Sequence, residues 1–192
     1  MLTANQVSEA FVYAAELHKN QTRKGGTVPY VSHLMAVAAI VMRFGGNEDE
    51  VIAALLHDAV EDQGGQPTLL TIKNHFGQTV ANIVEGCSDT DQHPKPPWKD
   101  RKEAYLEHLR GADQSTTMVS AADKFHNAQD CLITYDEIGQ SMWNLFKASK
   151  EQTKWYYQQL ADIYAKKALE YPQIAPLLQQ TIKMIQQLVA LD

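Results

Sequence analysis

Apolar side chains recur at intervals of three and four residues along nearly the whole chain, and no stretch alternates strictly in steps of two. That periodicity predicts an all-α protein, a helical bundle with helices over 4–19, 33–44, 48–62, 67–75, 78–89, 98–110, 114–135, 140–169 and 172–190. Helix starts are expected at Asn5 with Glu9, at Asn47 ahead of Glu48, Asp49 and Glu50, and at Thr68. There, side-chain oxygens and negative charge satisfy free N–H groups and the positive helix end. Gly45-Gly46, Gly64-Gly65, Gly77 and Gly111 mark the stops. Two stretches break the pattern, RKGGTVPYVS at 23–32 and DTDQHPKPPWK at 89–99. Both mix Gly or Pro with basic and aromatic residues, the composition of binding loops carried on a rigid scaffold. No repeat or low-complexity tract interrupts the 192 residues, so one domain over 1–192 is expected.

Composition narrows the picture. Hydrophobic residues make up 44% of the chain and charged residues 21%, the balance of a folded globular protein. The longest apolar run, Leu34 to Met42, is closed by Arg43 at well under the roughly twenty residues a spanning helix needs, so no membrane segment is predicted. MLTANQVSEAFVYAAE lacks the basic start and apolar stretch of a secretory signal, and Cys87 and Cys131 form no C-x-x-C pair. Both features predict a cytoplasmic location, with the two cysteines serving as small buried apolar groups. The formal net charge of −6 gives no footprint for nucleic acid. Local basic clusters at Lys19, Arg23 and Lys24, and at Lys95, Lys99, Arg101 and Lys102, leave room for a small phosphorylated ligand.

The densest chemistry is HDAVED at 57–62, at the end of an apolar helix. At about 100° per residue, His57, Glu61, Asp58 and Asp62 fall on one arc of roughly 140°, and Val51, Leu55, Ala59, Ile52, Leu56 and Val60 cover the remainder. Carboxylates at a helix C-terminus oppose its dipole, and a bound metal ion would remove the conflict. A His-Asp pair cannot close a coordination shell, so further ligands must come from distant segments. His33, in PYVSH, and Asp123, in VSAADKFHN, are candidates. Taken singly, His33 also fits a core or capping histidine, and Asp123 a core ion pair with Lys124.

AAELHKNQTRKGGTVPYVSH, VIAALLHDAVED, FGQTVANIVEGCSDTD and VSAADKFHNAQD occur in this order over about 11–131. The series resembles the HD-domain metal phosphohydrolases, specifically the hydrolase half of the RelA/SpoT-type alarmone enzymes and their stand-alone small relatives. The resemblance implies an HD-type helical bundle and His33, His57, Asp58 and Asp123 as ligands of one Mn²⁺ ion. It implies Glu61 and Asp62 as the acid/base pair, Arg23 against a purine base, Lys24 near phosphate, and Asn127 on the ribose or 3′-phosphate side. Two imidazoles and two carboxylates suit Mn²⁺, Fe²⁺, Co²⁺ or Zn²⁺ better than Ca²⁺. Leu34 stands where the family usually carries Pro, and DTDQHPKPPWKDRK departs from the family's usual Thr-Lys stretch.

The implied function is Mn-dependent removal of the 3′-pyrophosphate of a purine alarmone, ppGpp or its adenine counterpart ppApp. Lys24 would neutralise charge on the pyrophosphate, with help from Lys95, Lys99 or Arg101. The chain ends about where the family's synthetase half would begin, so synthesis is not expected. Alternatives are an HD phosphohydrolase of another nucleotide, such as an NADPH phosphatase or a 5′-nucleotidase, and a non-catalytic nucleotide sensor. The sensor would need the ligands but not Glu61 and Asp62. Met142, Trp143, Leu145, Phe146, Trp155, Tyr156, Tyr157 and Leu160 fit core packing, with Tyr156 or Lys154 the alternative candidates to reach the pocket.

Overall fold

A computed structural model describes residues 4–90 and 94–192. Residues 91–93, inside the expected binding stretch 89–99, lie outside the described residues. The order is α1 (Ala4–Leu17), α2 (Val31–Arg43), α3 (Glu48–Leu56), α4 (Ala59–Asp62), α5 (Gln66–Cys87), α6 (Trp98–Gly111) and α7 (Gln114–Ile138). A 3-10 helix (Gly139–Leu145), α8 (Lys150–Glu170) and α9 (Ala175–Ala190) follow. The all-α expectation holds: among the described residues the strand-like pairing is confined to an isolated antiparallel bridge between Thr22 and Pro29.

Helix α3 is the axis of the packing, because every residue from Glu50 to Leu56 is buried. A helix apolar on all sides has to be surrounded, and α1, α2, α5 and α7 do so. Burying each of Val51, Ile52, Leu55 and Leu56 contributes about 1.5–3 kcal/mol. Asn47 starts α3 as expected, accepting from the Glu50 amide while Glu50 Oε2 accepts from the Asn47 amide at 2.7 Å. Ser115 Oγ also donates to Glu50 at 2.7 Å, which ties the start of α3 to α7. At the C-terminal end, α9 lies on both α7 and α8.

Several boundaries differ from expectation. The helix expected over 48–62 breaks at His57 and Asp58. His57 Nδ1 lies 2.8 Å from the Ala54 carbonyl, the acceptor that a continuous helix would give to the Asp58 amide. The helix expected over 140–169 begins only at Lys150, where Ser149 and Gln152 form a reciprocal cap. That S-x-x-Q signal stands in the sequence, but the apolar residues Met142, Trp143, Leu145 and Phe146 hid it, and they belong to the 3-10 segment and the turn after it. Thr68 does not start a helix; α5 begins at Gln66, and Thr68 donates to the Gln63 carbonyl at 2.6 Å. The stop at Gly77 is real within α5: at φ 91° and ψ 170° the backbone leaves the helix, in a region open to glycine. Both cysteines are free and buried, and burial pushes the Cys131 thiol up to about 11. No helix among the described residues is long and apolar enough to cross a membrane.

Candidate active site

Four ligand-type side chains meet at the centre of the bundle. His33 comes from the first turn of α2, His57 and Asp58 from the break between α3 and α4, and Asp123 from α7. His33 Nε2 is 3.2 Å from Asp123 Oδ1 and 3.6 Å from Asp58 Oδ2. His57 Nε2 is 3.1 Å from Asp58 Oδ2 and 3.6 Å from Asp123 Oδ1. Both imidazoles are buried, and neither Nε2 makes a hydrogen bond.

This convergence needs a positive charge. The Ala54 carbonyl can only accept, so His57 carries a proton on Nδ1, and its neutral ring turns a bare lone pair toward two carboxylates. Lone pairs and anions at these distances repel unless a proton or a cation stands between them. The ionisation of the site states the same need. Burial disfavours a charged His57, but the Asp58 and Asp123 carboxylates outweigh it and raise the imidazole well above its ordinary value. Burial would raise both carboxyls as well; His57 and His33 together outweigh it at Asp58, and Lys124 together with the same two imidazoles outweighs it at Asp123, holding both well below the usual range. Two bare imidazole nitrogens beside carboxylate oxygens are a donor set that suits a divalent transition metal, and His33, His57 and Asp58 place ligand atoms within 4.8 Å of one another. The dipole conflict that first suggested a cation is eased by the break at 57–58, so the orphaned imidazole nitrogens carry this reading instead.

A second ring of contacts aims the four groups. The Tyr30 hydroxyl donates to Asp58 Oδ2 at 2.6 Å, and burial together with the Asp58 charge pushes the phenol up, which keeps it a donor. Asn127 Nδ2 donates to Asp123 Oδ1 at 2.5 Å, while Lys124 pairs with the other oxygen, Oδ2. The ion pair and ligand readings of Asp123 are therefore compatible, one oxygen serving each. His126 Nδ1 lies 2.9 Å from His33 Nδ1. Sequence reasoning missed Tyr30 and His126. Their positions, three residues before His33 and three after Asp123, were the available signal.

Glu61 and Asp62 sit beside the cluster in α4. Lys95 Nζ is 3.0 Å from Glu61 Oε1 and 3.8 Å from Asp62 Oδ1, and the Asp89 amide approaches Glu61 Oε2 at 3.4 Å. Gln21 donates to Asp62 Oδ2 at 2.8 Å. Burial raises the Glu61 carboxyl, the charges of Asp58 and Asp89 raise it further, and Lys95 offsets part of the shift. A carboxylate shifted in this direction is a stronger base than an ordinary glutamate.

The RKGG loop lies against the same pocket. Arg23 Nη2 reaches Asn127 Oδ1 at 2.8 Å and Asp130 Oδ2 at 2.7 Å, and its guanidinium lies 5.7 Å from the centre of the Tyr30 ring. Arg23 is thus held in place by these partners. Gly25, at φ 77°, touches Leu145 so closely that a Cβ would come within 2.8 Å of Leu145 Cδ1, which seats the loop on the 3-10 segment. Lys24 lies over the Phe146 ring. Arg101 and Lys102 both pair with Asp89 and so anchor the chain beside Glu61. Lys99 instead pairs with Glu103 at 3.7 Å on an exposed face. Lys154 does not reach the pocket; it binds the Leu191 carbonyl and lies over Trp143. Tyr156 is buried beneath Lys102.

The chain is similar along much of its length to several known proteins. The HD domain family profile matches residues 10–168. Among curated proteins, the guanosine-3′,5′-bis(diphosphate) 3′-pyrophosphohydrolase MESH1 of Xenopus tropicalis is 42% identical over 127 residues, covering 65% of this chain and 68% of that protein. The bifunctional (p)ppGpp synthase/hydrolase SpoT of Escherichia coli is 34% identical over 128 residues. That match covers 64% of this chain but only 17% of SpoT. A solved structure described as a metazoan ortholog of SpoT that hydrolyzes ppGpp superimposes over 97% of each chain with a TM-score of 0.77. At 22% identity it supports the fold alone. The structure of lmo0812 from Listeria monocytogenes matches over 82% of this chain and 98% of its own, at 29% identity and a TM-score of 0.69.

Proposed function

The chain belongs to the HD domain family and is a hydrolase, and on that premise we propose that it removes pyrophosphate from the 3′ position of purine alarmone nucleotides, (p)ppGpp or (p)ppApp, with Mn²⁺ bound. The observation that carries this reading is the meeting of His33, His57, Asp58 and Asp123 around two unpartnered Nε2 atoms, with Glu61 alongside. The names of the MESH1 and SpoT relatives support the choice of substrate. His33, His57, Asp58 and Asp123 would hold the metal. When bound, it supplies a Lewis acid that acidifies a water and polarises the phosphoryl oxygen.

The remaining steps fall to the chain. Glu61 takes the proton from the attacking water, and Asp62, held by Gln21, orients it. Water adds to the phosphorus linked to the ribose, the P–O3′ bond breaks, and O3′ leaves with a proton, so that pyrophosphate and a nucleoside 5′-polyphosphate result. Lys24 and Lys95 face the phosphate charge. Arg23, braced by Asp130 and Asn127, offers a flat cationic surface to the purine, and Asn127 lies beside the ribose. Intact Glu61 and Asp62 favour an enzyme over a sensor.

Incubation with Mn²⁺ and guanine or adenine 3′-pyrophosphate nucleotides, followed by chromatography, tests the reading. Pyrophosphate and the matching 5′-nucleotide are expected. Intact 3′-pyrophosphates alongside turnover of NADPH or a nucleoside 5′-monophosphate would overturn the substrate assignment.

A further inference from the structure

The two histidines of the cluster are held differently. His57 Nδ1 faces the Ala54 carbonyl, an acceptor only, so the main chain dictates which nitrogen of that ring is bare. His33 Nδ1 faces another imidazole nitrogen, His126 Nδ1, at 2.9 Å, and either atom can carry the shared proton. Only one arrangement leaves His33 Nε2 free for a cation. The proton must sit on His33 Nδ1 and be donated to His126 Nδ1, which obliges His126 to carry its own proton on Nε2. The opposite arrangement would aim an N–H from the fully buried His33 at the point where Asp58 and Asp123 converge.

We propose that His126 is a positioning residue that fixes the tautomer of His33 and thereby readies its Nε2 for the metal. The proposal rests on the reading of His33 as a ligand. His126 comes from the same turn of α7 as Asp123 and Asn127, so one helix turn would supply a ligand, the donor that orients it, and the acceptor that orients a second ligand from α2. A free histidine favours the proton on Nε2. The bundle has to reverse that preference at a residue with no access to water, and among the described residues His126 is the hydrogen-bond partner of His33 Nδ1.

Asparagine and leucine have nearly the same shape but differ in offering an acceptor, so His126→Asn and His126→Leu separate hydrogen bonding from packing. Mn²⁺ is titrated into each metal-free protein and the free ion counted by electron paramagnetic resonance, with circular dichroism reporting the fold. His126→Leu should weaken Mn²⁺ binding roughly 10–100-fold, and His126→Asn should recover most of the loss. Equal binding by His126→Leu and wild type, or equal impairment of both variants, would overturn the proposal. His33→Ala, run alongside, distinguishes the two levels: unchanged affinity in that variant overturns the ligand reading itself. Should His126→Leu fail to fold, ring-nitrogen NMR of the wild-type protein loaded with Zn²⁺ decides. A proton on His33 Nδ1 and on His126 Nε2 is expected, and a proton on His126 Nδ1 would refute the assignment.

Discussion

Removing one hydroxyl, in Tyr30→Phe, isolates the contribution of the second ring of contacts. Tyr30 donates at 2.6 Å to Asp58 Oδ2, the oxygen that faces both histidine Nε2 atoms. The ring itself is held independently, stacked on His18 at 5.1 Å and edge-on to His33 at 5.6 Å, so phenylalanine should keep its place. A hydrogen bond to a charged acceptor contributes about 1.5–3 kcal/mol. At about 1.4 kcal/mol per factor of ten, that corresponds to a loss of roughly 10–100-fold in Mn²⁺ affinity, matching the range for outer-shell partners of metal ligands. One effect opposes it, since a carboxylate relieved of a donor is more basic and binds a cation more strongly. Orientation should dominate, because Asp58 sits at the helix break and the hydroxyl is its anchor from outside α3 and α4. Calorimetric titration of Mn²⁺ into metal-free protein measures the change, and turnover at saturating Mn²⁺ should stay near wild type. Affinity within a factor of two of wild type, or tighter, would refute this account of Tyr30.

Metal analysis of His33→Ala and Asp58→Ala should show the ion lost from both; full occupancy in either would remove that residue from the ligand set. Glu61→Gln preserves volume but cannot accept a proton, so turnover should fall roughly 10²-fold or more with metal content unchanged, as single-turnover kinetics would show. Because the Glu61 carboxyl is raised, the wild-type rate should fall with decreasing pH from above the ordinary glutamate range, and this limb of the pH–rate profile should vanish in Glu61→Gln. Arg23→Lys loses the planar surface and the paired contacts to Asp130 and Asn127, so KM should rise several-fold with little change in kcat. An unchanged KM for both guanine and adenine substrates would place the purine elsewhere.

The sequence was most legible where one residue type serves one purpose. Asn47 with Glu50, the glycine at 77 and the apolar stretch of α3 act locally, and each appears where the pattern put it. HDAVED was visible because four ionisable groups in six residues have no reason to share a core helix. The break within it was hidden, since a side-chain nitrogen competing for the Ala54 carbonyl leaves no trace in hydrophobic periodicity. The start of α8 was hidden for the opposite reason, because apolar residues on both sides of Ser149 continue a helical rhythm through a non-helical turn. Tyr30 and His126 act through other side chains across the fold. Their partners lie 28 and 93 residues away, so spacing from His33 and Asp123 could hint at a role but not at the partner.

The span of those contacts also governs how the protein acquires and loses its centre. Arg23 reaches Asp130 across 107 residues and His33 reaches His126 across 93, so the cluster has no local precursor. Closing such large loops is entropically costly and comes after local helices have formed. A nascent or partly melted chain would present scattered histidines and carboxylates, none of them a site. An ion that binds only the assembled bundle therefore draws the folding equilibrium toward it in proportion to its concentration. Metal supply becomes a determinant of how much of the chain is folded as well as how fast it works, and a chelator would act on this protein as a mild denaturant.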